Sequence, residues 1–154
     1  MNHFPSVLSR PESDALAARI EVDFDRNGFG LWAVEVPGLI PFAGFVGLDV
    51  PRFDAPFMPT VEVGWRLGWA AWGRGLATEA VHASLCDAFE RVGLDDVVSM
   101  TVPANRRSRR LMIRLGMRHD PSDDFDHPRM PEDSRYRRHV LYRLAASDFS
   151  ADHR

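Results

Sequence analysis

Hydrophobic residues recur with a helical period near the start of the chain and with a strand period after it. Ser9 and Glu12 fit a capping box that opens a helix, and Asn27-Gly28 marks its end. One face of this predicted helix carries Leu16, Ala17, Ile20 and Phe24. We therefore expect an amphipathic helix that covers a sheet with that face.

Three strand-like runs follow the helix: Phe29–Val36, Phe42–Val50 and Thr60–Leu67. The segment 51–59 contains three prolines and is predicted to be a loop. The third run alternates, which places Val61, Val63, Trp65 and Leu67 on one face and Glu62, Gly64 and Arg66 on the other. Glu62 is therefore expected in mid-strand, on the more polar face.

The second half of the chain predicts two more helices and two more strands. A broad apolar stripe from Leu76 to Val92 indicates a long helix that Gly93 ends. The remaining elements are a strand over Asp96–Val102, a helix over Asn105–Leu115, a loop over 119–135 and a strand over Arg137–Leu144. This order predicts a single domain over residues 1–154, with a mixed α/β sheet and helices on its faces.

Composition narrows the possible functions. The chain of 154 residues is 45% hydrophobic and carries a net charge of −3, which argues against a general nucleic-acid binder. It contains no stretch of about 18 apolar residues, so we expect no membrane-spanning helix. The one cysteine excludes an internal disulfide and favours a reducing compartment, so we expect a cytoplasmic protein.

The stretch Gly68–Ala80 joins the third strand to the long helix through a loop that contains Gly73 and Gly75. Glycines there allow close backbone approach, and the first turn of a helix adds unpaired N–H groups and a positive dipole end. Together they favour an anion site suited to a pyrophosphate, to which Arg74 adds charge. A plain strand-to-helix turn is the alternative. The loop lacks the sequence features of a P-loop or of a GxGxxG dinucleotide site.

A second motif follows the next strand and points to a known family. It runs from Asn105 to Met117 and has the pattern N-x-x-S-x-R-L-x-x-x-L-G-M. Together with WGRGLATEA at residues 72–80, it resembles the GNAT superfamily of acetyl-CoA-dependent N-acetyltransferases. The sequence is most similar to the branch of ribosomal-protein alanine acetyltransferases (RimJ/RimL-like), and the likeness runs from about Phe29 to Leu144.

This resemblance implies a GNAT fold and a donor-binding site. The implied fold is a mixed, mostly antiparallel sheet that splays at the cofactor cleft, with helices on both faces. The cofactor is acetyl-CoA, which leaves as CoA, and no metal is needed. Backbone groups of Trp65, Arg66 and Leu67 would pair with the pantetheine arm. The pyrophosphate would be held by amides of Trp72, Gly73, Arg74, Gly75, Leu76, Ala77 and Thr78.

The resemblance also implies contacts from the second motif. Asn105 and Ser108 would touch the cofactor, although Asn105 also stands where a plain helix N-cap would stand. Many relatives carry a tyrosine acid at the position of Met112, which has no proton to donate. Ser108 is the nearby hydroxyl that would protonate the thiolate, and water is the alternative.

Transfer to an amine requires a group that takes the amine's proton. The resemblance makes Glu62 the expected base, with partial burial raising its pKa. An exposed strand glutamate or a partner for Arg66 are the alternatives. The amide of Leu67 would stabilise the oxyanion. We expect direct attack by a primary amine, either a protein N-terminus or a small molecule, in a ternary complex.

Several alternatives remain open. A non-catalytic acyl-CoA sensor and an unrelated phosphate-binding α/β domain are the other functions considered. Cys86 is expected to be a packed thiol in mid-helix. His119, His127 and His139, with the aspartates between them, lack a recognised metal-ligand spacing. His127 could instead line the acceptor pocket or replace Glu62 as the base.

The start of the chain carries a further expectation. Relatives usually have a strand and a helix before the region that matches His3-Phe4-Pro5, and the resemblance implies either that this unit is lost here or that the start of the chain is assigned too late. Its loss would expose a sheet edge and open one wall of the acceptor pocket. We therefore expect a self-associating protein, most simply a homodimer.

Overall fold

The described residues, 8–150, form one open, mostly antiparallel sheet of seven strands in the computed structural model of the chain. The strands are β1 (Leu31–Val36), β2 (Ile40–Asp49), β3 (Glu62–Leu67), β4 (Asp96–Thr101), β5 (Arg118–His119), β6 (Phe125–Asp126) and β7 (Arg138–Ala145). Their order across the sheet is β1-β2-β3-β4-β7-β5, and β6 pairs with β7. The segment His3-Phe4-Pro5 lies outside the described residues.

Three α-helices lie in this part of the chain: α1 (Arg10–Asn27), α2 (Leu76–Cys86) and α3 (Arg106–Arg114). The capping box predicted for α1 is present, since the Ser9 side chain accepts from the Glu12 amide and Glu12 accepts from the Ser9 amide. Gly28 then ends the helix in the left-handed conformation, with φ of 74°. None of these helices is long and apolar enough to cross a membrane.

The centre of the sheet contains its one parallel pair, β3 against β4. Glu62 opposite Val98 is the single register position that joins them, and the Val98 amide donates to the Val61 carbonyl at 3.0 Å. Beyond that position the two strands diverge toward their C-terminal ends. This confirms the splayed sheet that the family resemblance implies.

One face of the sheet is packed and the other faces a cleft. The side chains of Val63, Val97 and Leu144 are buried in the cluster that also contains Val81 of α2 and Leu111 of α3. The predicted alternation in β3 is confirmed, because Val61, Trp65 and Leu67 pack against the same cluster. Glu62, Gly64 and Arg66 consequently lie on the opposite face, where residues of α1 also line the cleft.

The structure departs from the sequence predictions in three places. The expected apolar face of α1 is only half covered, and Asp23 is the one buried residue of that helix. The long helix after the glycine loop loses its regular period at a π-helical segment, Asp87–Arg91. The predicted loop 119–135 contains β6, because β7 offers hydrogen-bonding positions to a short segment: Phe125 pairs with His139.

Candidate active site

A cleft of about 710 Å³ opens where β3 and β4 diverge. Residues from α1, β2, β3, β4, α3 and the segment before β7 line it. The predicted site residues on its lining are Glu62, Trp65, Arg66, Asn105 and Ser108, together with His127. Residues 72–78, which the resemblance assigns to the pyrophosphate, are not part of this lining and follow the end of β3.

The backbone of β3 presents alternate residues to the gap. The Gly68 amide donates to the Ala43 carbonyl at 2.8 Å, and Leu67 lies opposite Gly44 in the register. Hydrogen-bonded and non-hydrogen-bonded pairs alternate along antiparallel strands, so the backbone groups of Leu67 point away from β2. They point toward β4, which has already diverged there.

The same alternation separates the three residues expected to pair with a pantetheine arm. Trp65 shares the orientation of Leu67, so its N–H and C=O face the gap. Arg66 lies opposite Phe45, and its backbone groups are directed into the β2 ladder. Arg66 therefore contributes its side chain to the cleft, while the available backbone groups are those of Trp65 and Leu67.

The glycine loop has the geometry expected of an anion site. Gly73 and Gly75 have φ of 73° and 76°, and a Cβ atom on either would meet no atom of the chain within 4 Å. Backbone conformation, rather than crowding, therefore requires glycine at both positions. Gly75 is the N-cap of α2 and supplies no side-chain hydrogen bond, so the first-turn amides of α2 have no capping side chain.

Trp72 connects this loop to β3 and to α3. Its indole Nε1 donates to the Leu67 carbonyl at 2.9 Å, and the Arg107 guanidinium lies 4.2 Å from the centroid of its ring. The loop is thereby fixed to the end of β3, and a positive charge is held beside it. The pairing of Trp72 with Arg107 was not predicted, because the two residues are far apart in sequence.

Glu62 shares the cleft with a second carboxylate that sequence reasoning missed. Asp49 lies directly opposite it in the β2–β3 register. Burial and the neighbouring charge of Asp49 raise the pKa of Glu62 to about 8, against a smaller opposing effect of a hydrogen bond from the Met100 backbone. Burial also raises the pKa of Asp49, and the charges of Arg19 and Arg52 partly offset it. Glu62 is thus not an exposed strand residue, and its proton affinity suits proton transfer in weakly basic solution.

Asn105 and Ser108 are joined in a helix cap. The Asn105 Oδ1 accepts from the Ser108 amide at 3.2 Å, and its Nδ2 donates to the Thr101 hydroxyl at 3.0 Å. The capping role considered for Asn105 is therefore confirmed, and it fixes α3 to the end of β4. Both residues line the cleft, and buried Met112 lies one helical turn beyond Ser108.

The backbone groups that face the gap test whether the site fits a ligand. The N–H and C=O of Trp65 and the N–H of Leu67 are directed there, while the Leu67 carbonyl already accepts from Trp72. This fits an extended amide-containing arm such as that of acetyl-CoA. The Oγ of Ser99 has no hydrogen-bond partner among the described residues, but it is buried on the packed face, opposite Tyr142.

The polar residues of segment 119–139 are largely engaged with one another. His119 Nε2 lies 2.7 Å from Asp124, and the Arg143 guanidinium donates to Asp123 at 2.8 Å. His127 lines the cleft, which agrees with the alternative that it borders an acceptor pocket, and His139 lines the cleft as well. Cys86, which was expected to be a packed thiol, is half-buried and contacts His82 of the same helix at 3.7 Å.

Comparison with known proteins agrees with the fold and with the motifs. The family of acetyltransferase (GNAT) domains matches residues 1–118. FsC-acetyl coenzyme A-N(2)-transacetylase of Aspergillus fumigatus is 33% identical over 96 residues, which are 60% of this chain and 40% of that protein. The chain thus spans less than half the length of this curated relative.

Two solved structures illustrate the structural likeness. A GNAT-family protein of Bordetella pertussis is 26% identical, with a TM-score of 0.75 over 90% of this chain and 78% of that chain. The yncA protein of Salmonella typhimurium, solved with its cofactor acetyl-CoA, is 20% identical, with a TM-score of 0.71 over 94% of this chain and 81% of that chain. The splayed sheet, the glycine loop and the family match over three quarters of its length lead to one conclusion: the chain belongs to the family of acetyltransferase (GNAT) domains.

Proposed function

We propose that this protein is an acetyl-CoA-dependent N-acetyltransferase that acetylates a primary amine by direct attack in a ternary complex. The observation that carries the proposal is the position of Glu62, a carboxyl group whose pKa is raised to about 8, inside the cleft that β3 and β4 open. The name of the Aspergillus fumigatus relative, an acetyl coenzyme A N(2)-transacetylase, supports the same donor and an amine acceptor.

Donor binding is assigned to three groups of residues. The first-turn amides of α2 and the loop residues would hold the pyrophosphate: Trp72, Gly73, Arg74, Gly75, Leu76, Ala77 and Thr78. The backbone N–H and C=O of Trp65 and the N–H of Leu67 would bind the acetylated pantetheine arm. Asn105 and Ser108 would contact it from α3.

In the proposed reaction, acetyl-CoA supplies a thioester carbonyl, whose C–S bond breaks as the new C–N bond forms. Glu62 accepts the proton that the attacking amine loses, directly or through water. The Leu67 N–H donates to the carbonyl oxygen as it gains negative charge. Its own carbonyl is already bound to Trp72, which keeps this part of β3 in position.

Protonation of the departing thiolate is assigned to the Ser108 hydroxyl. The Ser108 amide donates to the Asn105 side chain, and this cap orients the first turn of α3 at the cleft. Met112 has no proton to donate, so the Ser108 hydroxyl or a water molecule protonates the sulfur. This proton donor regains its proton from solvent, to which Glu62 releases the proton it took from the amine. No acyl-enzyme forms in this scheme, because the amine attacks the donor directly.

Three finer assignments belong to the same proposal. The N-x-x-S-x-R-L motif supports a place in the ribosomal-protein alanine acetyltransferase branch. The single cysteine supports a cytoplasmic location. The strand β1 lies at one end of the sheet order, which supports a homodimer through that edge.

The experiment incubates purified protein and acetyl-CoA with a panel of primary amines and peptide N-termini. Thiol release and acetylated product, detected by mass spectrometry, should depend on one class of amine. Acetyl-CoA should also raise the melting temperature. A melting temperature that acetyl-CoA leaves unchanged would overturn the proposal, whereas binding without turnover on any amine would indicate the sensor function.

A further inference from the structure

A cluster of aromatic rings, which we call the aromatic wall, borders the cleft that contains Asp49 and Glu62. The proposed chemistry does not use it. We define this wall as Phe53, Phe57, Phe125, His127 and His139. The Phe53 and His127 ring centroids are 4.3 Å apart, and those of His127 and His139 are 5.1 Å apart. Phe53, His127 and His139 line the cleft, and Phe57 and Phe125 support Phe53 from behind at 6.3 and 6.0 Å.

Three rings of the wall line the same cleft as the carboxylates: Phe53, His127 and His139. Phe53 follows Asp49 by four residues, so their Cα atoms lie at most about 14 Å apart. His139 and Glu62 project from the same face of the sheet, because Glu62 lies opposite Val98 of β4 and Leu141 of β7 lies opposite Met100. An acceptor whose amino group reaches Glu62 can therefore extend along the cleft toward these rings.

The rings are held in place before any ligand binds. The Arg129 guanidinium donates to the Arg52 carbonyl, which ties the segment before β7 to loop 51–59. Arg52 in turn pairs with the buried Asp23 of α1. The His127 amide donates to the Arg137 carbonyl at 2.8 Å. A surface fixed in this way loses little entropy when a flat group packs on it.

The two histidines behave as uncharged rings. Burial lowers the pKa of both His127 and His139, so neither carries a positive charge in neutral solution. The Arg129 amide donates to His127 Nδ1 at 3.2 Å, while His139 Nδ1 donates to the Arg137 carbonyl at 3.1 Å. These bonds fix the ring orientations, and an uncharged wall does not repel an incoming ammonium group.

We infer that the acceptor is a small primary amine that carries an aromatic ring, with the ring packed on Phe53 and His127 and the amino group directed to Asp49 and Glu62. The carboxylates attract the ammonium end when they are ionised, which for Glu62 requires a pH near 8 or above, and the flat apolar end packs on the wall. This inference rests on the proposed acetyltransferase function and names the substrate class of that site.

The test compares three amines on the parent protein: 2-phenylethylamine, 2-cyclohexylethylamine and propylamine. We expect kcat/KM for 2-phenylethylamine to exceed that for propylamine by about 10- to 100-fold, which is the range that a hydrophobic subsite provides. The cyclohexyl compound, similar in size but without a flat ring, should fall about 2- to 10-fold below the phenyl compound. Equal rates for phenyl and propyl amines would overturn the inference.

Two variants locate the effect. Phe53→Leu should lower the ratio of kcat/KM for 2-phenylethylamine to kcat/KM for propylamine about 3- to 10-fold, because it removes the aromatic contact. The matched control is Phe42→Leu, since Phe42 is 64% exposed on β2 and does not line the cleft. An equal loss on both amines in Phe53→Leu would contradict an aromatic subsite.

Failure of this inference is distinguishable from failure of the proposed function. If acetyl-CoA stabilises the protein and propylamine reacts as well as 2-phenylethylamine, only the aromatic subsite is wrong. If no amine reacts, calorimetric titration of the same two amines into the protein tests the subsite directly. Binding of 2-phenylethylamine that Phe53→Leu weakens supports it, and the absence of binding contradicts it.

Discussion

The proposed donor end and the proposed acceptor end of the site are built in different ways. The proposed donor end, which is the glycine loop together with the free edge of β3, uses backbone: two left-handed glycines, an uncapped helix start and the N–H groups of a strand that has lost its neighbour. The proposed acceptor end, which is the cleft, uses side chains that come from α1, loop 51–59, β3 and the segment before β7. A contiguous stretch can fix a backbone site on its own, whereas a side-chain site depends on contacts between distant segments. Acceptor specificity can therefore change while the donor end stays the same.

The largest expected effect comes from removing the Glu62 carboxylate, which is proposed to accept the proton of the attacking amine. Glu62→Gln should lower kcat by about 10²–10⁴-fold, because the amine proton loses its acceptor. The increase in melting temperature with acetyl-CoA should persist, since the donor end is untouched. Steady-state kinetics and thermal shift measure the two effects, with Glu35→Gln on exposed β1 as the matched strand control. A variant with parent activity would exclude Glu62 as the base.

A negative charge in the glycine loop should prevent donor binding. Gly75→Glu places a carboxylate beside the proposed pyrophosphate site. It should remove the stabilisation of about 2.7 kcal/mol that is expected at a hundredfold excess of acetyl-CoA over Kd. Gly93→Glu is a matched control, because Gly93 also has φ of 76° and open space around its Cβ position. Gly75→Ala separates strain from charge. Equal acetyl-CoA stabilisation in Gly75→Glu and Gly93→Glu would place the donor elsewhere.

The same contrast explains what the sequence could predict. The glycine loop, the cap at Asn105 and the alternation that places Glu62 on the cleft face are local patterns, so they were visible in the sequence. Asp49 beside Glu62 was not, because the pairing needs the register of β2 against β3. The aromatic wall was also missed: Phe53 and His127 are 74 positions apart, and only the folded chain brings their rings together. Strand alternation likewise shows that the Arg66 backbone belongs to the β2 ladder, which a linear motif does not reveal.

The pH dependence of the unfolding free energy tests the raised pKa of Glu62 without any substrate. Its folded pKa lies near 8, above the ordinary 4.5, so its contribution to stability is complete below about pH 4.5 and is lost as pH rises through 8. Replacing it with glutamine removes this loss. The difference in unfolding free energy between Glu62→Gln and the parent should thus grow by about 2 kcal/mol from pH 5 to pH 7. Denaturant unfolding at both pH values measures it, and a constant difference would contradict the raised pKa.

The smallest effect concerns the thiolate. Ser108→Ala should lower turnover about tenfold or less, because a thiolate needs little acid assistance. The Asn105 cap binds the residue-108 amide, so the variant keeps the helix start. Ser147→Ala, at an exposed position outside the cleft, is the control. Parent-like turnover in Ser108→Ala would assign the proton to water.

The pH dependence of kcat/KM for the amine tests the central claim, that Glu62 in the splayed cleft accepts the amine proton. It is measured from pH 6 to about pH 10 with saturating acetyl-CoA and subsaturating amine, for the parent and for Glu62→Gln. Glu62 must be ionised to accept a proton, so the parent rate should rise with a midpoint near pH 8. Any titration of the amine itself is common to both proteins. The account predicts that Glu62→Gln loses the rise near pH 8, and identical profiles for the two proteins would contradict it.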